Sequence, residues 1–308
     1  MAADRTDHLL SLWGHWYNDN IYYRYNLAAR SKSQRWVFRL LLLPMAMVVK
    51  AYRKISHQFE LMRVEMPITT RCTLRCKDCC NLIPFYVNPA DIDIALLIQD
   101  IDDFLSNVDR VYRFVIMGGE AFLHPDLNKL LTYLIRNRKI NIVQVFTNAT
   151  VIPAEDILEL LQNRKVFITI SDYPIEVARR KNQFIAVLTQ RQIHYTISAT
   201  NWNDMGGLNP PTESNPLVLK NRFANCSRKI CHNLMDGEYH LCARSGHGQQ
   251  LGQFPRDPSD SVHFRGRHDP PGFQNELRQL LRKEYISACT KCNGDAGQEI
   301  SPAIQLHR

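Results

Sequence analysis

Between residues 61 and 200 the chain alternates short β-rich runs with amphipathic helical patterns. No other feature limits the fold as strongly. Residues 62–69, 112–117, 141–146, 166–170 and 194–198 read as strands. Residues 91–105 repeat apolar side chains at Ile94, Leu97, Ile98, Ile101 and Leu105 behind an Asp cap, and 127–136, 154–161 and 175–188 follow as helices. A helix between successive strands demands parallel pairing through right-handed crossovers. The expectation is an α/β fold with a barrel-type or open parallel sheet, and chemistry at the C-terminal ends of its strands.

The flanks have different textures. Residues 1–60 hold Trp13, Trp16 and Trp36, three of the four tryptophans. From Ile21 to Phe59 there is no Asp or Glu, while Arg24, Arg30, Lys32, Arg35, Arg39, Lys50, Arg53 and Lys54 are present. Trp36, Val37, Leu40, Leu41 and Met45 are spaced for a helix near Pro44. This segment reads as a helical extension packed on the main domain; peripheral contact with an anionic membrane surface is the alternative. Residues 37–49 are interrupted by Arg39 and Pro44, short of the roughly 18 apolar residues of a membrane span. The N-terminus lacks the basic-then-apolar layout of a secretory signal, so a cytoplasmic location is expected. With 45% hydrophobic and 22% charged residues in 308, disordered, collagen-like and coiled-coil classes are excluded. A net charge of +8 permits an acidic partner without demanding one, and no nucleic-acid partner is expected. From residue 202 onward Gly, Pro, Asn and His increase, and five of the nine cysteines lie there. So loop-rich a segment needs a staple, which metal can supply.

An odd cysteine count argues against a closed disulfide framework. The first strand runs into Cys72, Cys76 and Cys79, spaced C-x3-C-x2-C. Three thiolates on one loop can hold three corners of a cubane cluster and leave the fourth iron open. Zinc is the alternative, but a structural zinc site closes with four nearby ligands, and the adjacent Cys80 lacks that spacing. Arg71, Arg75, Lys77 and Asp78 make the stretch too polar for inert core cysteines. A second signal is Gly118-Gly119-Glu120 at the end of the second strand. Gly-Gly lets a backbone approach a ligand closely, and Glu120 can accept from an ammonium group. Thr147, Asn148 and Ser171 stand at later strand tips, where they could face a cofactor or simply cap turns.

On these motifs residues 61–200 resemble the radical SAM superfamily. The resemblance implies a partial (β/α)6 TIM-like barrel over 61–215. It implies a [4Fe-4S] cluster on Cys72, Cys76 and Cys79 whose open iron binds S-adenosylmethionine (SAM), with Gly118, Gly119, Glu120, Asn148 and Ser171 around that cofactor. One departure is Asp78, where the family usually has an aromatic residue. Residues 216–308 look like the small auxiliary-cluster domains called SPASM and twitch, through Gly237-x4-Cys242 and Cys289-x2-Cys292. The likeness implies a second [4Fe-4S] cluster on Cys226, Cys242, Cys289 and Cys292, with Cys231 as an alternative ligand. A zinc ribbon on the same thiolates is the competing reading. Cys231 and Cys80 would then be spare, and Cys231 is a candidate hydrogen donor, as in some epimerases of this superfamily.

The implied activity is reductive cleavage of SAM to a 5′-deoxyadenosyl radical that abstracts a substrate hydrogen, with electrons from a donor such as flavodoxin or ferredoxin. Oxidation or epimerisation of a sugar-like or aminocyclitol substrate is expected, with peptide modification as the alternative. Trp202, Asp204, Arg244, His247 and His232 are candidate substrate contacts. From other classes, a zinc-stapled module binding nucleic acid or a membrane surface, or an electron-transfer iron–sulfur protein, would use the same cysteines differently.

Overall fold

Strands β1 (Val64–Pro67), β2 (Arg110–Met117), β3 (Ile140–Thr147), β4 (Val166–Ser171) and β5 (Tyr195–Ser198) pair parallel in chain order. The links between them carry α1 (Ile94–Ser106), α2 (Leu127–Arg136), α3 (Glu155–Leu161) and α4 (Lys181–Gln190). The result is an α/β fold with a partial TIM-like sheet. This computed structural model describes residues 58–198, 202–208 and 212–306. The helical extension expected over residues 1–60, with peripheral membrane contact as its alternative, lies outside them as far as residue 57. By its contacts the chain divides into two units, Met1–Glu60 and Leu61–Arg308. Among the described residues no helix is long and apolar enough to cross a membrane.

The central strands carry apolar side chains on both faces, as strands of a covered parallel sheet do, with Glu65, Gln144 and Thr169 as buried polar exceptions. Val64, Phe114, Val115, Ile116, Val143, Val145, Ile168 and Ile170 are all fully buried. Helix α1 begins where the Asp93 carboxylate accepts the N–H groups of Ala95 and Leu96 at 2.9 and 3.1 Å, and it buries Leu97, Ile101, Phe104 and Leu105. Helix α4 starts at Lys181, not at the expected residue 175. The Pro174 carbonyl accepts the N–H groups of Val177 and Ala178, closing a separate turn. Lys181 Nζ then reaches back to Tyr173 O at 2.6 Å and Asp172 at 2.9 Å, which holds that turn in place.

The later segment extends the same sheet. It contains β6 (Trp202–Asn203), α5 (Pro216–Asn225), β7 (Asn233–Met235), β8 (Glu238–His240), α6 (Ala243–Gln250), β9 (Ser261–His263), α7 (Pro270–Leu281) and β10 (Glu299–Ile300). The sheet order is β9-β8-β7-β1-β2-β3-β4-β5, with β7 parallel to β1 at Glu65 and Asn233. Strands β7 and β8 form a hairpin turned by Asp236 and Gly237, whose φ values are 50° and 74°. An Asp-Gly pair with two positive φ angles is the favoured two-residue hairpin turn. A Cβ on Gly237 would also lie 2.6 Å from Arg265 Cβ. The Arg265 guanidinium binds Asp100 on α1 through two hydrogen bonds of 2.6 and 2.8 Å, and Phe104 packs against Tyr239, Phe264 and Phe273. Residues 216–308 thus grip the parallel sheet through α1 and β1.

Candidate active site

The chain leaves β1 in extended conformation beside the end of β2. Ile68 N donates to Met117 O, Gly119 N to Thr69 O and Glu120 N to Arg71 O, each at 2.9 Å. This pairing explains the glycines. A Cβ on Gly118 would sit 2.4 Å from Thr69 O, and one on Gly119 would sit 2.1 Å from Arg71 O and 2.7 Å from Cys72 Cβ. Thr69 and Arg71 are tied to Asp91 at 2.6 and 2.7 Å, fixing the entrance to the cysteine loop. Its other side is paired by residues 303–306, where Lys77 N donates to Ile304 O and Leu306 N to Arg75 O, both at 2.8 Å. Ala303 is fully buried against Leu74 and Cys76.

Cys72, Cys76 and Cys79 line one cavity of about 340 Å³ together with Gly118, Gly119, Asn148 and Ser171. It lies at the C-terminal strand ends, where the fold puts chemistry. Burial pushes the Cys72 and Cys79 thiols up to about 12 and raises Cys76 as well. Such thiols keep their protons until a metal displaces them. Asn148 points its Nδ2 at Cys72 Sγ, 3.6 Å away, and at Thr73 Oγ1, 3.2 Å away. Tyr173 and Trp202 also line the cavity, edge to face with centroids 5.8 Å apart.

Glu120 stands elsewhere than its motif suggests. Its carboxylate is fully buried and is not among the groups lining the cavity. It accepts Thr147 Oγ1 at 2.9 Å, Asn148 N at 2.8 Å and Phe122 N at 3.2 Å. Burial raises the carboxyl to about 7 against the opposing pull of these donors. In this arrangement Glu120 braces the tips of β2 and β3, and through Asn148 it supports Cys72.

A second, small cavity is lined by Cys226, Cys242, Cys289 and Cys292. Cys80 and Cys231 line the first cavity instead. Arg222 Nη1 donates to the carbonyls of Cys289 and Cys292 at 3.2 and 2.7 Å, and Gly294 N donates to Cys292 Sγ at 3.2 Å. Burial pushes Cys289 up to about 12 and raises Cys226 and Cys242. The Arg228 side chain borders both cavities. Among the described residues no three Cys, His, Asp or Glu side chains converge as ligands of a single metal ion would.

Of the five candidate substrate contacts, Trp202 alone borders the first cavity. Arg244 is buried, donates to Gly207 O at 2.7 Å and stacks over Phe254. His247 is buried against Tyr86 and His232 is stacked on Tyr239, while Asp204 accepts Gly206 N in a turn. These four are held in the fold by their own partners. Tyr173, Arg228 and Gln305, which no motif marked, reach the cavities or their thiols.

The family model described as "Radical SAM superfamily" matches residues 66–182. The antilisterial bacteriocin subtilosin biosynthesis protein AlbA of Bacillus subtilis (strain 168) is 31% identical over 116 residues, 36% of this chain and 23% of that protein. The chain therefore spans less than a quarter of that relative's length. Among solved structures, BtrN in complex with AdoMet and 2-DOIA is 17% identical, with a TM-score of 0.49 over 80% of this chain and 98% of that one. Streptococcus suis SuiB bound to precursor peptide SuiA is 19% identical, with a TM-score of 0.38 over 50% and 38%. The superfamily implies a [4Fe-4S] cluster with SAM. The donor set fits both groups, because one buried and two half-buried thiols border the same cavity as the glycine backbone at a strand tip. Residues 66–182 are a radical SAM superfamily domain.

Proposed function

We propose that this chain is a SAM-dependent radical enzyme that oxidises or epimerises a sugar-like or aminocyclitol substrate. One observation carries the chemical part: Cys72, Cys76, Cys79, Gly118, Gly119, Asn148 and Ser171 border one cavity at the strand tips. When bound there, a [4Fe-4S] cluster with SAM supplies a 5′-deoxyadenosyl radical able to take hydrogen from an unactivated C–H bond. The chain's own residues prepare the cavity for this. Gly118 and Gly119 keep the strand tip clear of side chains, Asn148 steadies Cys72, and Glu120 holds Asn148 from behind. Tyr173 and Trp202 supply an aromatic wall that keeps water away and offers a stacking surface. Hydroxyl groups on a small substrate could meet Ser171, Ser198 and Asn203, which border the same space.

We assign Cys226, Cys242, Cys289 and Cys292 to a second [4Fe-4S] cluster, supported by their shared cavity. Cys231 is kept as a candidate hydrogen donor because it borders the first cavity. Peptide modification is the second reading, favoured by the bacteriocin-biosynthesis name of the Bacillus relative.

The deciding assay is anaerobic reconstitution, iron counting, and detection of 5′-deoxyadenosine after adding SAM and dithionite. The expected result is about eight irons per chain, the content of two cubane clusters, with 5′-deoxyadenosine lost in Cys72→Ala. About four irons with activity kept would return the second thiol set to zinc or structure. Zinc without iron, and no 5′-deoxyadenosine, would overturn the enzyme reading. Turnover of deuterated polyols and of peptides, read by label transfer to 5′-deoxyadenosine, separates the two substrate classes.

A further inference from the structure

The cysteine loop is paired by a segment more than two hundred positions away. Residues 303–306 run antiparallel to it, with Gln305 opposite Cys76. The two backbone bonds on either side of this pair fix where the Gln305 side chain starts. Its amide then has one orientation available. Arg75 N, which can only donate, gives its hydrogen to Gln305 Oε1 at 2.8 Å. Nε2 must therefore lie on the other side, where it donates to Ala303 O at 2.6 Å and to Cys76 Sγ at 3.4 Å. Flipping the amide would set N–H against N–H at Arg75 and oxygen against the Ala303 carbonyl. Cys76 is only 7% exposed, so little water competes for its sulfur.

We propose that Gln305 is a positioning residue for the radical SAM cluster, whose amide N–H to Cys76 Sγ raises the potential at which the cluster takes up an electron. This rests on the assignment of Cys72, Cys76 and Cys79 as its ligands. Reduction by an external low-potential donor adds one electron and no proton, so negative charge on the ligating sulfurs grows. A fixed N–H donor stabilises that charge more in the reduced form than in the oxidised form. The same amide, held by Arg75, also keeps the Cys76 sulfur in place.

The test is an EPR-monitored redox titration of the anaerobically reconstituted full chain, with dithionite as reductant. Gln305→Leu removes both functions of the amide. Gln305→Glu keeps the acceptor for Arg75 N–H and removes the donor. The radical SAM component is the one missing from Cys72→Ala. The expected result is a more negative midpoint for that component in both variants, larger in Gln305→Glu, with iron content unchanged and any remaining component unmoved. Coinciding midpoints, equal shifts in every component, or loss of the component from both variants would overturn the proposal. If the unaltered chain has no component that depends on Cys72, the ligand assignment itself fails and this proposal falls with it.

Discussion

At the scale of single residues, Gly119 carries more of the site than any charged group near it. A methyl group there has no room beside Arg71 O and Cys72 Cβ. Gly119→Ala is expected to displace the cysteine loop and bring iron at that site to the level of Cys72→Ala, with helix content retained. Gly252→Ala is the comparison, because nothing lies within 4 Å of its Cβ. With φ of +67°, Gly252→Ala should cost about 1 kcal/mol and leave iron unchanged. Iron counts and thermal midpoints of the two variants check this. Glu120→Gln has a different signature. Its amide offers one oxygen to the three donors that Glu120 satisfies, so one buried N–H or O–H loses its partner at a cost of about 1–3 kcal/mol. The motif made Gly118 and Gly119 legible because their pairing is with the neighbouring strand tip. The direction of Glu120 was not legible, since Thr147 at the end of β3 and Asn148 just after it set it.

Among the elements, α1 joins the two halves of the described structure. Its start depends on Asp93, and Asp93→Ala should cost about 1 kcal/mol through the lost cap. Its middle depends on Phe104, fully buried among Tyr239, Phe264 and Phe273. Phe104→Ala should cost about 3–5 kcal/mol, and that loss should loosen residues 233–281 together with the helix. Denaturant unfolding gives the cost, and hydrogen exchange in β8 and α7 shows where it falls. Helix α2 lies at the residues its periodicity marked, because Leu127, Leu130, Leu131 and Leu134 form one buried stripe. The first turn expected of α4 was misread because Ile175 and Ala178 have helical i, i+3 spacing. Pro174 and the reach of Lys181 to Tyr173 close a separate turn there, and no apolar period encodes that.

The molecule as a whole should be sensitive to acid through three buried imidazoles. Burial lowers His232 and His240 from the usual 6.5 to about 4, and His247 to about 3. Each is neutral in the fold and takes up a proton more readily when unfolded. Their stabilising effect is therefore complete above about pH 6.5 and declines as the pH falls towards 4. The thermal midpoint of the apo chain should drop over that range, and His247→Gln should make the drop shallower. His247 Nδ1 faces Tyr86 Oη at 2.7 Å, and Tyr86 donates to Gln250, so the imidazole carries its hydrogen on Nδ1. The sheet and the first thiol set were readable from local pattern. The spacing of the late cysteines already set Cys231 apart from the other four, whereas the reach of Gln305 was not readable, since it depends on a pairing between distant parts of the chain.

Those distant pairings also set an order of completion during synthesis. Strand β1 launches the cysteine loop, yet its neighbour β7 contacts it from 168 positions downstream. The residue that holds the loop at Arg75 follows by 230 positions. At about 5–20 residues per second, the ribosome needs roughly 10–50 s to travel from one to the other. During that interval the nascent chain exposes three thiols on an unfinished loop. The loop gains its last backbone partners only when residues 303–306 have emerged, and until then oxidation of those thiols competes with folding.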